Sequence, residues 1–118
     1  LKYQSAVNRA VKKKAVGLKA EDVYSILARI PEGKVTTYGD IARTLGHPKS
    51  SRAIGRILNR NPHPIVVPCH RVVMSDGRIG GYADGQDRKI ELLAKEGLVF
   101  KSGRVEDFKK RRAVLKRK

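Results

Sequence analysis

The chain has 118 residues, enough for one domain with a modest core and too few for two independent ones. Its 27 Lys and Arg stand against 11 Asp and Glu, a formal charge of +16 that calls for a polyanionic partner, nucleic acid first and an anionic membrane surface second. No apolar run approaches the roughly 20 residues of a spanning helix, no N-terminal apolar core marks a signal peptide, and one cysteine excludes both an intramolecular disulfide and a cysteine-framed zinc finger; the expectation is a soluble, intracellular monomer.

Residues 1–19 form a basic stretch with little apolar periodicity, and residues 101–118 are more basic still. Both read as arms around a core of residues 20–100, either solvated charge or direct phosphate contacts, with a short helix at 105–115. Within the core, "AEDVYSILARI" spaces Val23, Ile26, Leu27 and Ile30 at helical intervals, and Pro31 and Gly33 stop that helix. Thr37 then precedes "YGDIARTL" with Asp40 three residues on, a variant capping box, and Gly46 ends the segment. Pro48 is placed to open a further helix, "PKSSRAIGRILNRN", which Pro62 and Pro64 close. Two short helices joined by "GHP" make a helix-turn-helix.

The second of these helices is slim. Ser50, Ser51, Ala53 and Gly55 are small, while Arg52 and Arg56 are four apart and share a face. Small residues suit close packing in a core; on a basic chain they also suit approach to a minor groove only about 6 Å wide. Next, "PIVVP" is a short β-branched run and "VVMSDGRI" reads as two brief strands around an Asp76-Gly77 turn. After the polar "GGYADG", the segment "DGQDRKIELLAKEG" sets Ile90, Leu93 and Ala94 on one helical face and ends at Gly97. The fold class is mainly α with a few short strands, a winged-helix-like helix-turn-helix domain suited to DNA.

Cys69 lies between Pro68 and the pair His70-Arg71. A lone Cys is commonly a small buried hydrophobe. A reactive one needs its thiolate favoured, since a free thiol titrates near ~8.5, and a base or positive charge is at hand in His70 and Arg71. Neighbouring side chains on a strand point to opposite faces, so adjacency alone leaves both readings open.

The segments "NPHPIVVPCHRVV", "GGYADG" and "LLAKEG", preceded by "KVTTYGDIA" and "SSRAIG", resemble in order and spacing the active-site domain of the O6-alkylguanine-DNA alkyltransferases, whose hallmark is Pro-Cys-His-Arg. The resemblance covers about residues 20–100 and implies a protein that rotates an alkylated guanine out of duplex DNA and moves the alkyl group irreversibly to Cys69, once per molecule and without cofactor or metal. It further implies that His70 acts on Cys69 through water, that Glu96 orients His70, and that Asn61 braces the turn before the active site. Tyr38 would contact the flipped nucleotide and stabilise the departing guanine, and Arg52 would fill the gap that the base leaves. Ser51, Ala53 and Gly55 would face the minor groove. Pro68, Ile79, Gly80, Tyr82 and Ala83 would wall the alkyl pocket, Tyr82 stacking on the base and Ala83 donating its backbone N–H to O6. By the same resemblance the protein works in the cytoplasm of a prokaryote or the nucleus of a eukaryote. Alkyltransferases usually carry an N-terminal domain before this one, and 19 residues are too few to supply it. Alkyltransferase-like proteins, which bind alkylated DNA without transferring the group, lack the cysteine.

Overall fold

The computed structural model describes residues 18–61 and 67–115. Helix α1, Ala20–Leu27, buries Val23, Ile26 and Leu27 as its spacing predicts, and Glu21 and Asp22 complement the positive end of its dipole. Beyond it, Lys34 N bonds to Pro31 O at 3.1 Å, a tight turn in which Gly33 supplies the positive φ of +83°. Strand β1, Thr36–Thr37, leads straight into helix α2, Tyr38–Thr44. Thr37 caps α2, its Oγ1 accepting from Asp40 N at 3.0 Å, but Asp40 does not reciprocate. Its carboxylate is taken by Arg112, at 2.7 and 2.8 Å, and by Arg43.

Helix α3, Ser51–Asn59, begins three residues later than Pro48 suggested. The left-handed Gly46 (φ +83°) lets His47 N fold back onto Ala42 O at 2.8 Å, and Ser50 N closes a turn on His47 O at 3.0 Å, which places Pro48 in the connection. A 3-10 turn, Cys69–Arg71, precedes strand β2, Val72–Val73, and helix α4 follows at Gln86–Lys95. The "PIVVP" run falls partly on residues 62–66, outside those described.

The segment "VVMSDGRI" does not fold into its own hairpin. β2 instead pairs in parallel with β1, Thr36 opposite Val72 and Thr37 opposite Val73, and the turn after it is closed by Met74 N to Arg78 O at 2.8 Å. Burial explains the choice: both valines are inaccessible, and they point to opposite sides of the two-stranded sheet. Val72 joins a core with Val23, Ile26, Ile41, Ile54 and Leu58, whereas Val73 joins a second with Val35, Leu93, Leu98 and Val105.

Helix α4 also turns a different face inward. Lys89, Leu92 and Leu93 are buried, Ile90 only partly, and Ala94 is exposed, because the Lys89 ammonium is drawn to the Gly81 carbonyl at 2.8 Å.

Past residue 100 the sequence reading expects a solvated basic arm. The described part of it, residues 101–115, is instead folded onto the domain. Strands β3, Phe100–Lys101, and β4, Arg104–Val105, form an antiparallel pair, Arg104 bridges Arg78, and helix α5 covers only Phe108–Arg111 of the expected 105–115. Arg112 bridges Val35 in parallel, with Ala113 N on Val35 O at 2.7 Å. The cause lies in sparse apolar residues among the charges: Phe100, Val105 and Phe108 pack into the second core. Phe108 also sets a condition on Gly77, where an added Cβ would lie 3.1 Å from the ring.

Ending the chain at residue 100 therefore removes Val105 from the core, a loss of about 1.5–3 kcal/mol by itself, and should lower the urea midpoint; a merely solvated tail would leave it unchanged. The Arg112–Asp40 pair makes a pH-dependent share of that loss. Although burial opposes its charge, hydrogen bonds and attraction from Arg112, with help from Arg43 and Thr37, hold the Asp40 carboxyl below its ordinary value. Such a group stabilises the fold above the unfolded carboxyl's pKa and loses that contribution as pH falls through the lower folded one. Arg112→Met should cost about 1 kcal/mol at pH 7, and the gap from the unmodified chain should close in acid when both are melted in urea across pH.

Candidate active site

Parallel pairing of β1 with β2 carries the residues just before β2 to the residues just after β1. Cys69 thereby comes to the start of α2, where Tyr38 stands. The thiol is almost wholly buried and is both a member of the first core and part of the lining of a cavity of about 410 Å³. Asn61 Nδ2 donates to Val67 O at 2.9 Å and to Cys69 Sγ at 3.3 Å, tying the end of α3 to the strand-like segment that enters the turn.

Behind Cys69, His70 is 1% exposed, and its Nε2 meets Glu96 Oε2 at 2.8 Å. An ionised carboxylate only accepts, so Nε2 carries the hydrogen and Nδ1 of the neutral ring keeps its lone pair. Nδ1 is buried with no hydrogen-bond partner among the described residues. Burial lowers the His70 pKa more than Glu96 raises it, and Arg71 and Lys89 lower it further, so the ring is neutral at physiological pH. A neutral imidazole with a free lone pair can accept a proton.

Glu96 is held by more than the histidine. Arg71 donates from Nε to Oε1 at 2.9 Å and from Nη2 to Oε2 at 2.8 Å, and its Nη1 reaches Ile30 O at 2.6 Å. Desolvation works against the carboxylate, yet the hydrogen bonds from Arg71 and His70 outweigh it and keep the Glu96 pKa below the usual value. Sequence reasoning placed Arg71 only as a nearby positive charge; the bidentate grip on Glu96 is its observed contact.

The cavity is walled by α2, α3 and the loop before α4. Tyr38, Ser51, Arg52, Gly55, Tyr82 and Ala83 line it with Cys69. Tyr38 Oη donates to Gly81 O at 3.4 Å, and an added Cβ at Gly55 would lie 4.0 Å from the Tyr38 ring, so a small residue there keeps α3 close to α2. Burial, and then the neighbouring Cys69, raise the pKa of Tyr38 and of Tyr82, so both phenols stay protonated at neutral pH. The Tyr82 hydroxyl is buried and unpartnered among the described residues.

Four expected residues stand outside that lining. Pro68 is the residue before the 3-10 turn, Ala53 is half-buried on α3, and Ile79 and Gly80 line an adjoining groove of about 320 Å³ with Met74, Ser102 and Gly103. Met74 and Ser75 line the main cavity and had no signal in the sequence beyond their place after the cysteine. Lys89 was also missed, although a lysine three and four residues before the buried Leu92 and Leu93 is a readable sign. A larger cavity, about 660 Å³, lies between α2 and the C-terminal segment and holds no thiol or imidazole.

Comparison with known proteins agrees with this geometry. Residues 19–98 match the family model described as 6-O-methylguanine DNA methyltransferase, DNA binding domain. A methylated-DNA–protein-cysteine methyltransferase of Methanosarcina acetivorans is 51% identical over 77 residues, 65% of this chain and 49% of that protein. A bifunctional methyltransferase/endonuclease of Picrophilus torridus is 49% identical over 84 residues, 71% of this chain and 28% of that protein. The chain thus spans at most about half the length of these relatives. Among solved structures, Mycobacterium tuberculosis OGT in complex with DNA aligns with TM-score 0.63 and 42% identity over 65% of this chain and 48% of its own. Schizosaccharomyces pombe Atl1, in complex with damaged DNA containing O6-carboxymethylguanine, aligns with TM-score 0.69 and 32% identity over 81% of this chain and 94% of its own. With the helix-rich fold, the Cys69–His70–Glu96 alignment and the matched segment in agreement, the chain belongs to the 6-O-methylguanine DNA methyltransferase family through that family's DNA binding domain.

Proposed function

We propose that the chain repairs DNA by taking a methyl or other alkyl group from the O6 atom of guanine onto Cys69, each molecule acting once. The observation that carries this reading is the chain's one thiol at a cavity walled by two protonated phenols, backed by a neutral, Glu96-anchored imidazole with a free nitrogen. In the reaction the Cys69 proton passes to His70 Nδ1 through water. The thiolate attacks the alkyl carbon, the new C–S bond forms as the C–O6 bond breaks, and the bond's electron pair leaves with guanine. The guanine anion then takes up one proton, for which the Tyr38 hydroxyl is the donor at hand. Thiol plus alkylguanine becomes thioether plus guanine, and no cofactor enters. Thiol exchange does not reverse a thioether, which makes the protein a reagent as well as a catalyst.

The partner is duplex DNA carrying the lesion. α3 offers small Ser51, Ala53 and Gly55 with exposed Arg52 and Arg56, a profile for the minor groove, and the cavity opening beside Arg52 admits a base rotated from the stack. Tyr82 stacks on that base, its hydroxyl gaining a partner, and the Ala83 backbone N–H serves O6.

A second reading is lesion binding without transfer, favoured by the alignment with Atl1 over 94% of that chain. Mass spectrometry after mixing with an O6-methylguanine duplex separates the two: one added methyl on Cys69 supports transfer, and unmodified protein in a stable complex supports binding alone. Cys69→Ser replaces the thiol by a hydroxyl that stays protonated near neutral pH, so transfer should disappear while lesion affinity, read by fluorescence anisotropy, stays within about threefold. That is a change of less than ~1 kcal/mol.

Arg52 gives an independent check. If it occupies the vacated base position, its planar guanidinium stacks where an ammonium cannot, and both Arg52→Lys and Arg52→Ala should slow repair of duplex DNA by tenfold or more, about 1.4 kcal/mol. Reaction with free O6-methylguanine base needs no flipping and should be nearly unchanged. Equal losses on duplex and free base would end the gap-filling role.

A further inference from the structure

The proposed chemistry uses every polar group around Cys69 except one. Lys89 on α4 is 0% exposed, yet no carboxylate pairs with it among the described residues. Its ammonium donates to the Gly81 carbonyl at 2.8 Å and stands 6.0 Å from the centre of the Tyr38 ring, two parts of the cavity wall. The titratable groups in electrostatic contact with it are Cys69 and His70 of the 3-10 turn. Of these, His70 is neutral and its carboxylate partner Glu96 is already occupied by Arg71.

A buried cation with no counter-charge is expensive to keep, because the desolvation of the ammonium is not offset by an ion pair. The fold bears that cost beside the one atom that becomes an anion during the reaction. We infer that Lys89 is a positioning residue of the transfer: its ammonium fixes the Gly81–Ala83 wall against Tyr38 and supplies the positive charge that favours the Cys69 thiolate.

Desolvation pushes the Lys89 pKa down to about 8, and Cys69 opposes that fall. The coupling is mutual, since whatever a thiolate does for the ammonium, the ammonium does for the thiolate. It also has a signature in pH. More hydroxide raises the thiolate fraction of an ordinary cysteine, whereas here the supporting charge is lost as pH rises through about 8, so transfer should level off and then decline in the alkaline range.

The inference rests on the alkyl-transfer reading, and the test keeps the two apart. The unmodified chain, Lys89→Met and Lys89→Arg are each given two reagents between pH 6 and 10: iodoacetamide, which alkylates the chain's one thiol without DNA, and an O6-methylguanine duplex. Lys89→Met removes a buried charge and keeps the length of the side chain, so its stability at pH 7 should equal or exceed that of the unmodified chain. Its iodoacetamide rate at pH 7 should be about tenfold lower, the effect of one pKa unit of lost stabilisation, and its transfer rate lower by at least as much. Lys89→Arg keeps a charge that does not titrate in this range, and should restore the iodoacetamide rate and abolish the alkaline decline. Should the guanidinium not fit, the Met variant decides alone. Iodoacetamide rates for Lys89→Met within twofold of the unmodified chain at every pH would overturn the role of Lys89. An iodoacetamide effect on a chain that takes no methyl from DNA would retain the coupling and overturn the transfer reading.

Discussion

The Glu96 carboxylate receives His70 on one oxygen and Arg71 on both, while the remaining arm of Arg71 bonds to the Ile30 carbonyl. Three segments distant in sequence, the end of α1, the 3-10 turn and the end of α4, meet at that one group. Each hydrogen bond is charge-assisted or borders a charge, in a region where little water competes, so the assembly is stiff as well as favourable. Its consequence for the site is orientation. With Nε2 committed to Glu96, the imidazole has one free nitrogen, and the tautomer is fixed by its surroundings. Removing the carboxylate would strand Arg71 and His70 together without an anion, which is costlier than losing one hydrogen bond.

Much of this was legible in the sequence, for reasons that can be given residue by residue. The α1 spacing marks its buried face because a helix of two turns has only one way to cover Val23, Ile26 and Leu27. The Thr37 cap was readable because its chemistry is local, three residues from its donor. The quartet around Cys69 was readable by resemblance, and its geometry brings Cys69, Asn61 and Tyr38 to one cavity edge with His70 and Glu96 behind. What stayed hidden is non-local. Two-residue strands carry too little pattern to name their partner, so the β1–β2 pairing that joins Cys69 to Tyr38 could not be read. Charge concealed the C-terminal segment, where one buried valine and two phenylalanines are scattered among lysines and arginines. Lys89 was hidden by the rule that lysines face water.

The segment matched by the family ends at residue 98, but the second core does not. Val105, Phe100 and Phe108 complete it, and Arg112 reaches back to the capped end of α2. The stretch that follows the matched segment is thus part of the same packing unit as the helix-turn-helix. Any change in how Phe108 lies against Gly77 would be felt in the turn that follows β2, and through it at Met74 in the cavity wall.

The bridge between Val35 and Arg112 has a further implication for how the molecule is made. The first core draws on α1, α2, α3 and the stretch to Val72, so its members leave the ribosome together and early. The second core joins Val35 to residues near the far end of the described chain, and contacts so distant in sequence form slowly because a long loop must close first. During synthesis the face of β1 that carries Val35 waits without its cover, and the translation of the last basic residues ends that wait.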